Sequence, residues 1–169
     1  MRYALVYGLI SGTIIILTMV AGFELAARDS FVRTLWYGYT LMLVVLTFIF
    51  VGVKRYRDLE CGGVIRFGRA FRLGLGMAVF AGLAYVLIFE AYLAATDYRF
   101  IAEMAAGTTA EERAQVESIL YNPPMRVAFV FLEIFPVGLL IALVSAALLR
   151  NPKLLPAAAK SRDETKVLT

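Results

Sequence analysis

Four long apolar runs limit what this chain can fold into. They extend from about Tyr3 to Phe23, Thr34 to Val53, Phe71 to Tyr92 and Val127 to Leu149. Each is close to the ~20 helical residues needed to cross a hydrocarbon core of roughly 30 Å. Lipid offers no hydrogen-bond partner, so a crossing chain must satisfy its own backbone as a helix or a closed barrel. Barrel strands read as short alternating segments, and these runs do not alternate. The chain is 61% apolar and 18% charged, against about 45–50% and 25% in a soluble domain, so the runs are too rich for a water-soluble core. The first exceeds the roughly 7–15 apolar residues of a signal peptide and is expected to stay as a span. The expected fold is all-α, an integral membrane four-helix bundle over residues 1–150.

Lysine and arginine collect on the cytoplasmic side of a membrane protein. The connection between the second and third runs carries Lys54, Arg55, Arg57, Arg66, Arg69 and Arg72 against Asp58 and Glu60. The segment after Leu149 is also basic, with Arg150, Lys153, Lys160, Arg162 and Lys166. The first connection is balanced (Glu24, Arg28, Asp29, Arg33), and the third leans acidic through Asp97, Glu103, Glu111, Glu112 and Glu117. With an even number of spans, both termini are expected to be cytoplasmic in a multi-pass protein of the inner membrane. The net charge of +4 then reflects topology and attraction to anionic lipid. No nucleic-acid-binding motif accompanies it.

The third connection is long enough for structure of its own, a short external helical hairpin over about residues 96–123. Phe100, Ile101, Met104 and Ala105 recur at helical spacing. The third span is expected to continue outward as this helix, with Gly107 as its stop. Thr109 followed by Glu112 is a capping box opening a second helix, whose apolar side is Val116, Ile119 and Leu120 and which Asn122-Pro123-Pro124 ends. Residues 151–169, with Pro152, Pro156 and mixed charges, hold little apolar surface and are expected to form a disordered cytoplasmic tail.

Small residues recur every fourth position at Ala4, Gly8 and Gly12, at Gly74, Ala78 and Gly82, and at Gly138, Ala142 and Ala146. That spacing places them on one helix face and lets two backbones approach closely. The first and third runs also overlay, Gly8-Leu9 on Gly74-Leu75 and Glu24 on Glu90. This overlay fits either a repeat of helix pairs or a shared packing need.

Glu24, Glu90 and Glu133 all fall near the outer ends of their runs. A charge costs about 2.5–3.5 kcal/mol at the centre of a membrane helix and less near the interface. Glu133 is therefore tolerable, though a leucine would cost less. It is either a tie to an arginine such as Arg126, Arg99 or Arg28, or a polar, proton or cation site. Pro136, three residues on, removes a backbone donor from the Leu132 carbonyl and is expected to kink the helix.

In the segment from Cys61 to Gly74, Gly62-Gly63 marks a turn, and Val64, Ile65, Phe67, Ala70 and Phe71 interleave with Arg66, Arg69 and Arg72. This is an interfacial pattern, apolar groups at the acyl boundary and arginines at anionic headgroups. The chain has a single cysteine and no histidine, which removes disulfides within the chain and the commonest metal ligand and general base. No metal, cofactor or enzymatic activity is expected.

Three stretches together resemble a known family: "YGLISG", "CGGVIRFGRAFRLGL" and "NPPMRVAFVFLEIFPVGLLIALVSAALLR". They are similar to bacterial membrane proteins of the domain of unknown function 4199 family. The family pattern falls on Gly62, Gly63, Ile65, Phe67, Gly68, Ala70 and Phe71, and on Phe131, Leu132, Glu133, Ile134, Pro136, Val137 and Gly138. The chain has Arg66 where the family often has serine, so no serine-based role is implied there. The resemblance covers the chain apart from its tail and implies a multi-span inner-membrane protein, but no reaction. The functional expectation is a non-enzymatic structural or regulatory membrane component, with a homo-oligomer as its expected state. The alternative is a small transporter or channel subunit using the outer carboxylates.

Overall fold

In a computed structural model the chain is described over residues 1–25, 35–106 and 109–156. The described residues form helices and turns, without strands: α1 (Arg2–Leu25), α2 (Leu35–Glu60), α3 (Phe67–Ala95), α4 (Arg99–Ala106), α5 (Ala110–Leu120) and α6 (Pro123–Leu149). α1, α2, α3 and α6 are long and apolar enough to cross a membrane. The fold is an all-helical bundle. Arg28, Asp29, Arg33, Thr34 and Gly107, like residues 157–169, lie outside the described residues.

The long helices form a ring. α1 packs on α3, α3 on α6, α6 on α2 and α2 on α1, with a lighter contact between α2 and α3 across the middle. One end of the ring carries the start of α1, the α2–α3 turn and the end of α6. The other carries α4 and α5, packed on each other, with α5 also against α6. We call these the terminal end and the hairpin end.

The closest contacts involve glycines. A Cβ on Gly12 would collide with the Ala81 carbonyl, and one on Gly8 would lie 2.5 Å from the Met77 carbonyl oxygen. Gly74 and Gly138 face Ala142 and Ala78 across the α3–α6 contact, where an added Cβ would come within 2.9 and 2.8 Å of those methyls. Gly82 receives the Phe131 ring. Gly52, which the spacing argument did not pick out, accommodates Met77 and Tyr7. Gly8 and Gly74 overlay in sequence, yet Gly8 meets α3 and Gly74 meets α6. The buried hydroxyls of Ser11 and Ser145 donate to carbonyls of their own helices, Tyr7 and Ile141, at 2.7 and 2.6 Å. They therefore bury no unmet donor.

Three expectations change. The third span does not run on into α4. It ends at Ala95, and the Thr96 N–H caps it by donating to Tyr92 and Leu93. Asp97 and Tyr98 then turn the chain at φ 46° and 58°, and the Tyr98 N–H reaches the Leu93 carbonyl at 3.0 Å. Left-handed backbone costs a non-glycine residue about 1–2 kcal/mol. No glycine marks this break, which is why the sequence concealed it.

Pro123 and Pro124 open α6 as well as following α5. Proline suits a helix start because its missing N–H would have no intrahelical partner there. Arg126 therefore lies in the first turn of α6, one turn earlier than the apolar run implies. Lastly, residues 151–156 do not leave the bundle as a free tail. They form turns, and Arg57 donates to the Leu154 carbonyl at 3.1 Å and to that of Leu155. The Thr109–Glu112 capping box forms as the sequence implied.

Candidate functional site

At the hairpin end the early start of α6 brings Arg126 opposite Glu90 on antiparallel α3. Nε donates to Oε1 at 2.7 Å and Nη2 to Oε2 at 2.6 Å, a bidentate pair. Nη1 donates to the Leu120 carbonyl, the last residue of α5, at 2.5 Å. The Tyr98 ring centroid lies 5.4 Å from the guanidinium carbon. Arg126 is only 2% exposed, so its charge is tolerable because these partners replace its water. One side chain thus joins α3, the α3–α4 turn, α5 and α6.

Glu24, at the end of α1, accepts from Arg99 of α4 on both carboxylate oxygens and from the Tyr92 hydroxyl at 2.7 Å. Hydrogen bonding to Glu24 holds the Arg99 guanidinium above its ordinary range. Phe100, the next residue, packs among Phe23, Phe89 and Tyr92, with centroid separations of 4.7, 5.5 and 6.3 Å. Phe100 is half-buried, Ile101 and Ala105 are buried, and Met104 is exposed. α4 therefore closes over the ends of α1 and α3.

The sequence grouped Glu24, Glu90 and Glu133 together, and the structure separates them. Glu24 and Glu90 each hold their own arginine. Glu133 is half-buried on α6 and makes no hydrogen bond or ion pair among the described residues. The expected tie to Arg126 or Arg99 is not made. Arg126 sits about two turns away along the same helix and is committed to Glu90, and Arg99 is committed to Glu24. Arg28 lies outside the described residues. The hydroxyl of buried Tyr85 on α3 meets Met19 Sδ at 3.2 Å. Pro136 lies within the continuous run of α6 and, with Leu132, on its exposed side. The carbonyl that Pro136 leaves without its usual donor belongs to that side.

At the terminal end Arg66, Arg69 and Arg72 are exposed on the entry to α3. Arg69 donates to the Tyr56 hydroxyl at 2.7 Å, and Arg72 to the Gly68 carbonyl at 3.2 Å. Arg57 behaves differently. It is fully buried, bonds Asp58 at 2.7 Å and offers its own carbonyl to the N–H groups of Cys61 and Gly63. A signal for it exists in the sequence. Val45, Ile49 and Val53 form a buried stripe at a spacing of four, and Arg57 is the next member of that series. Charge counting assigned it to the surface instead.

Among the described residues no three His, Cys, Asp or Glu side chains come together as a metal site. The arrangement ties helix ends together at both ends of the bundle and leaves one carboxylate of the four membrane-length helices, Glu133, without a partner among those residues. No curated protein and no solved structure matches this chain. The family model described as "protein of unknown function (DUF4199)" matches residues 2–151, so the chain belongs to that family.

Proposed function

We propose that this is a non-enzymatic structural or regulatory component of the bacterial inner membrane, with both termini in the cytoplasm. The observation that carries the reading is the filling of the ring. α1 meets α3, and α3 meets α6, through backbone and methyl contacts at Gly8, Gly12, Gly74 and Gly138. The fully buried side chains between the arginines at the two ends are apolar or are serines bonded to their own helix. Such an interior suits a rigid membrane element better than a water-filled path. The orientation follows the cations, which concentrate at the terminal end. In proteoliposomes loaded with a pH-sensitive dye, proton and monovalent cation leak should match that of protein-free vesicles. The expected homo-oligomer can be read from native mass spectrometry of the same preparation.

A second reading has one observation in its favour. Glu133 stands half-buried and without a partner among the described residues, and carboxylates at such depth often belong to ion or proton paths. Under that reading the protein would add a leak that Glu133→Gln abolishes without lowering thermal stability. A protein-dependent leak with this behaviour would replace the first reading.

A further inference from the structure

We infer that the first turns of α3 form a binding surface for the phosphate headgroup of an anionic phospholipid. This deepens the proposed function, since it rests on the same membrane setting. The argument starts from how cations are paired at the two ends of the bundle. At the hairpin end every described arginine has a carboxylate: Arg99 has Glu24 and Glu103, Arg113 has Glu117, and Arg126 has Glu90. At the terminal end Asp58 takes Lys54 and Arg57. Arg66, Arg69 and Arg72 make no ion pair among the described residues.

Arg2, Arg55 and Arg150 at this end also lack an ion pair among the described residues, but each stands on a different element, whereas three of the arginines without carboxylates are gathered on one. Arg66 precedes α3, and Arg69 and Arg72 lie on its first turns. Arg69 and Arg72 each have one hydrogen bond to neutral protein oxygen, and a guanidinium carries five N–H donors. Most of their donors therefore remain for an outside acceptor. Charged hydrogen bonds to phosphate oxygen are strong, and the planar fork of arginine suits them.

The neighbouring side chains identify the source of that phosphate. Val64 is 59% exposed and Phe67 40% exposed, and Phe67 stacks on Phe71 with ring centroids 6.0 Å apart. Apolar groups left open beside cations, on a helix that continues directly into a span, fit the acyl–headgroup boundary. A soluble anion would match the arginines but leave these apolar groups in water. Arg69 is backed by the Tyr56 ring, 5.5 Å from its guanidinium carbon, which limits its range of positions.

The test uses the full chain in nanodiscs of phosphatidylcholine containing a minor share of phosphatidylglycerol, with retained lipid read by native mass spectrometry. Each arginine near an anionic surface contributes about 1 kcal/mol, or about fivefold. Arg66→Gln, Arg69→Gln and Arg72→Gln together should therefore cut phosphatidylglycerol retention by about two orders of magnitude. Arg113→Gln should not change it, and thermal stability in a zwitterionic detergent should report that each variant folds. Inorganic phosphate at millimolar concentration should fail to displace the lipid. Equal retention by the folded triple variant overturns the proposal, and so does displacement by phosphate alone. A leak that depends on Glu133, with lipid retention intact, would remove the proposed function and leave this inference standing.

Discussion

Glu90 and Arg126 face each other across α3 and α6 through two nearly equal hydrogen bonds, 2.7 and 2.6 Å long. Arg126 is buried, whereas the Glu90 side chain keeps 30% exposure. Removing the carboxylate alone strands a buried charge, which costs about 3–5 kcal/mol in a fully enclosed pair. Glu90→Gln should fall at the lower end of that range because water still reaches the site. Glu90→Leu combined with Arg126→Met should recover most of the loss, as an apolar pair can replace a buried ion pair. Thermal unfolding in detergent would measure both. A double variant less stable than either single one would mean that the pair is needed for more than charge compensation.

Gly12 and Gly68 lie in helices but in opposite surroundings. A methyl on Gly12 runs into the Ala81 carbonyl, whereas one on Gly68 meets nothing within 4 Å. Gly12→Ala should destabilise by about 1–3 kcal/mol through overpacking. Gly68→Ala should be neutral or stabilise by up to about 1 kcal/mol through helix propensity. Similar unfolding temperatures for the two variants would contradict the close α1–α3 approach.

Cys61 is the sole cysteine and lies in the α2–α3 turn at the terminal end. A membrane-impermeant maleimide should label it in inverted vesicles and not in sealed cells. Cys61→Ser with Glu111→Cys should show the opposite pattern, since Glu111 is exposed on α5. Labelling of both sites from one face would end the four-span arrangement.

Arg57 holds residues 151–156 by donating to the Leu154 and Leu155 carbonyls. Hydrogen bonds to a charged group contribute about 1.5–3 kcal/mol. Arg57→Leu should therefore raise the open population of this segment by about tenfold or more. Trypsin cleavage after Lys153, which adjoins Leu154, would report it as a faster loss of the C-terminal peptide. Unchanged cleavage would mean that the segment is held by other contacts.

The sequence by itself determined the helical class, the four membrane-length helices and the capped second helix of the hairpin. Each follows from local physics: a lipid core that requires a self-satisfied backbone, a length set by its thickness, and a threonine and glutamate three residues apart. The i, i+4 spacing of small residues marked faces, but only the tertiary structure decided that Gly12 meets Ala81 and Gly138 meets Ala78. It also decided which arginine each carboxylate holds. Helix rotation and axial register determine such pairing, and neighbouring residues on a helix point about 100° apart. One extra turn at the start of α6 sufficed to give Arg126 to Glu90 and leave Glu133 without it. The same limit hid the left-handed turn at Asp97 and Tyr98 and the burial of Arg57, since both depend on contacts from distant segments: Arg126 over Tyr98, and Leu154 and Leu155 against Arg57.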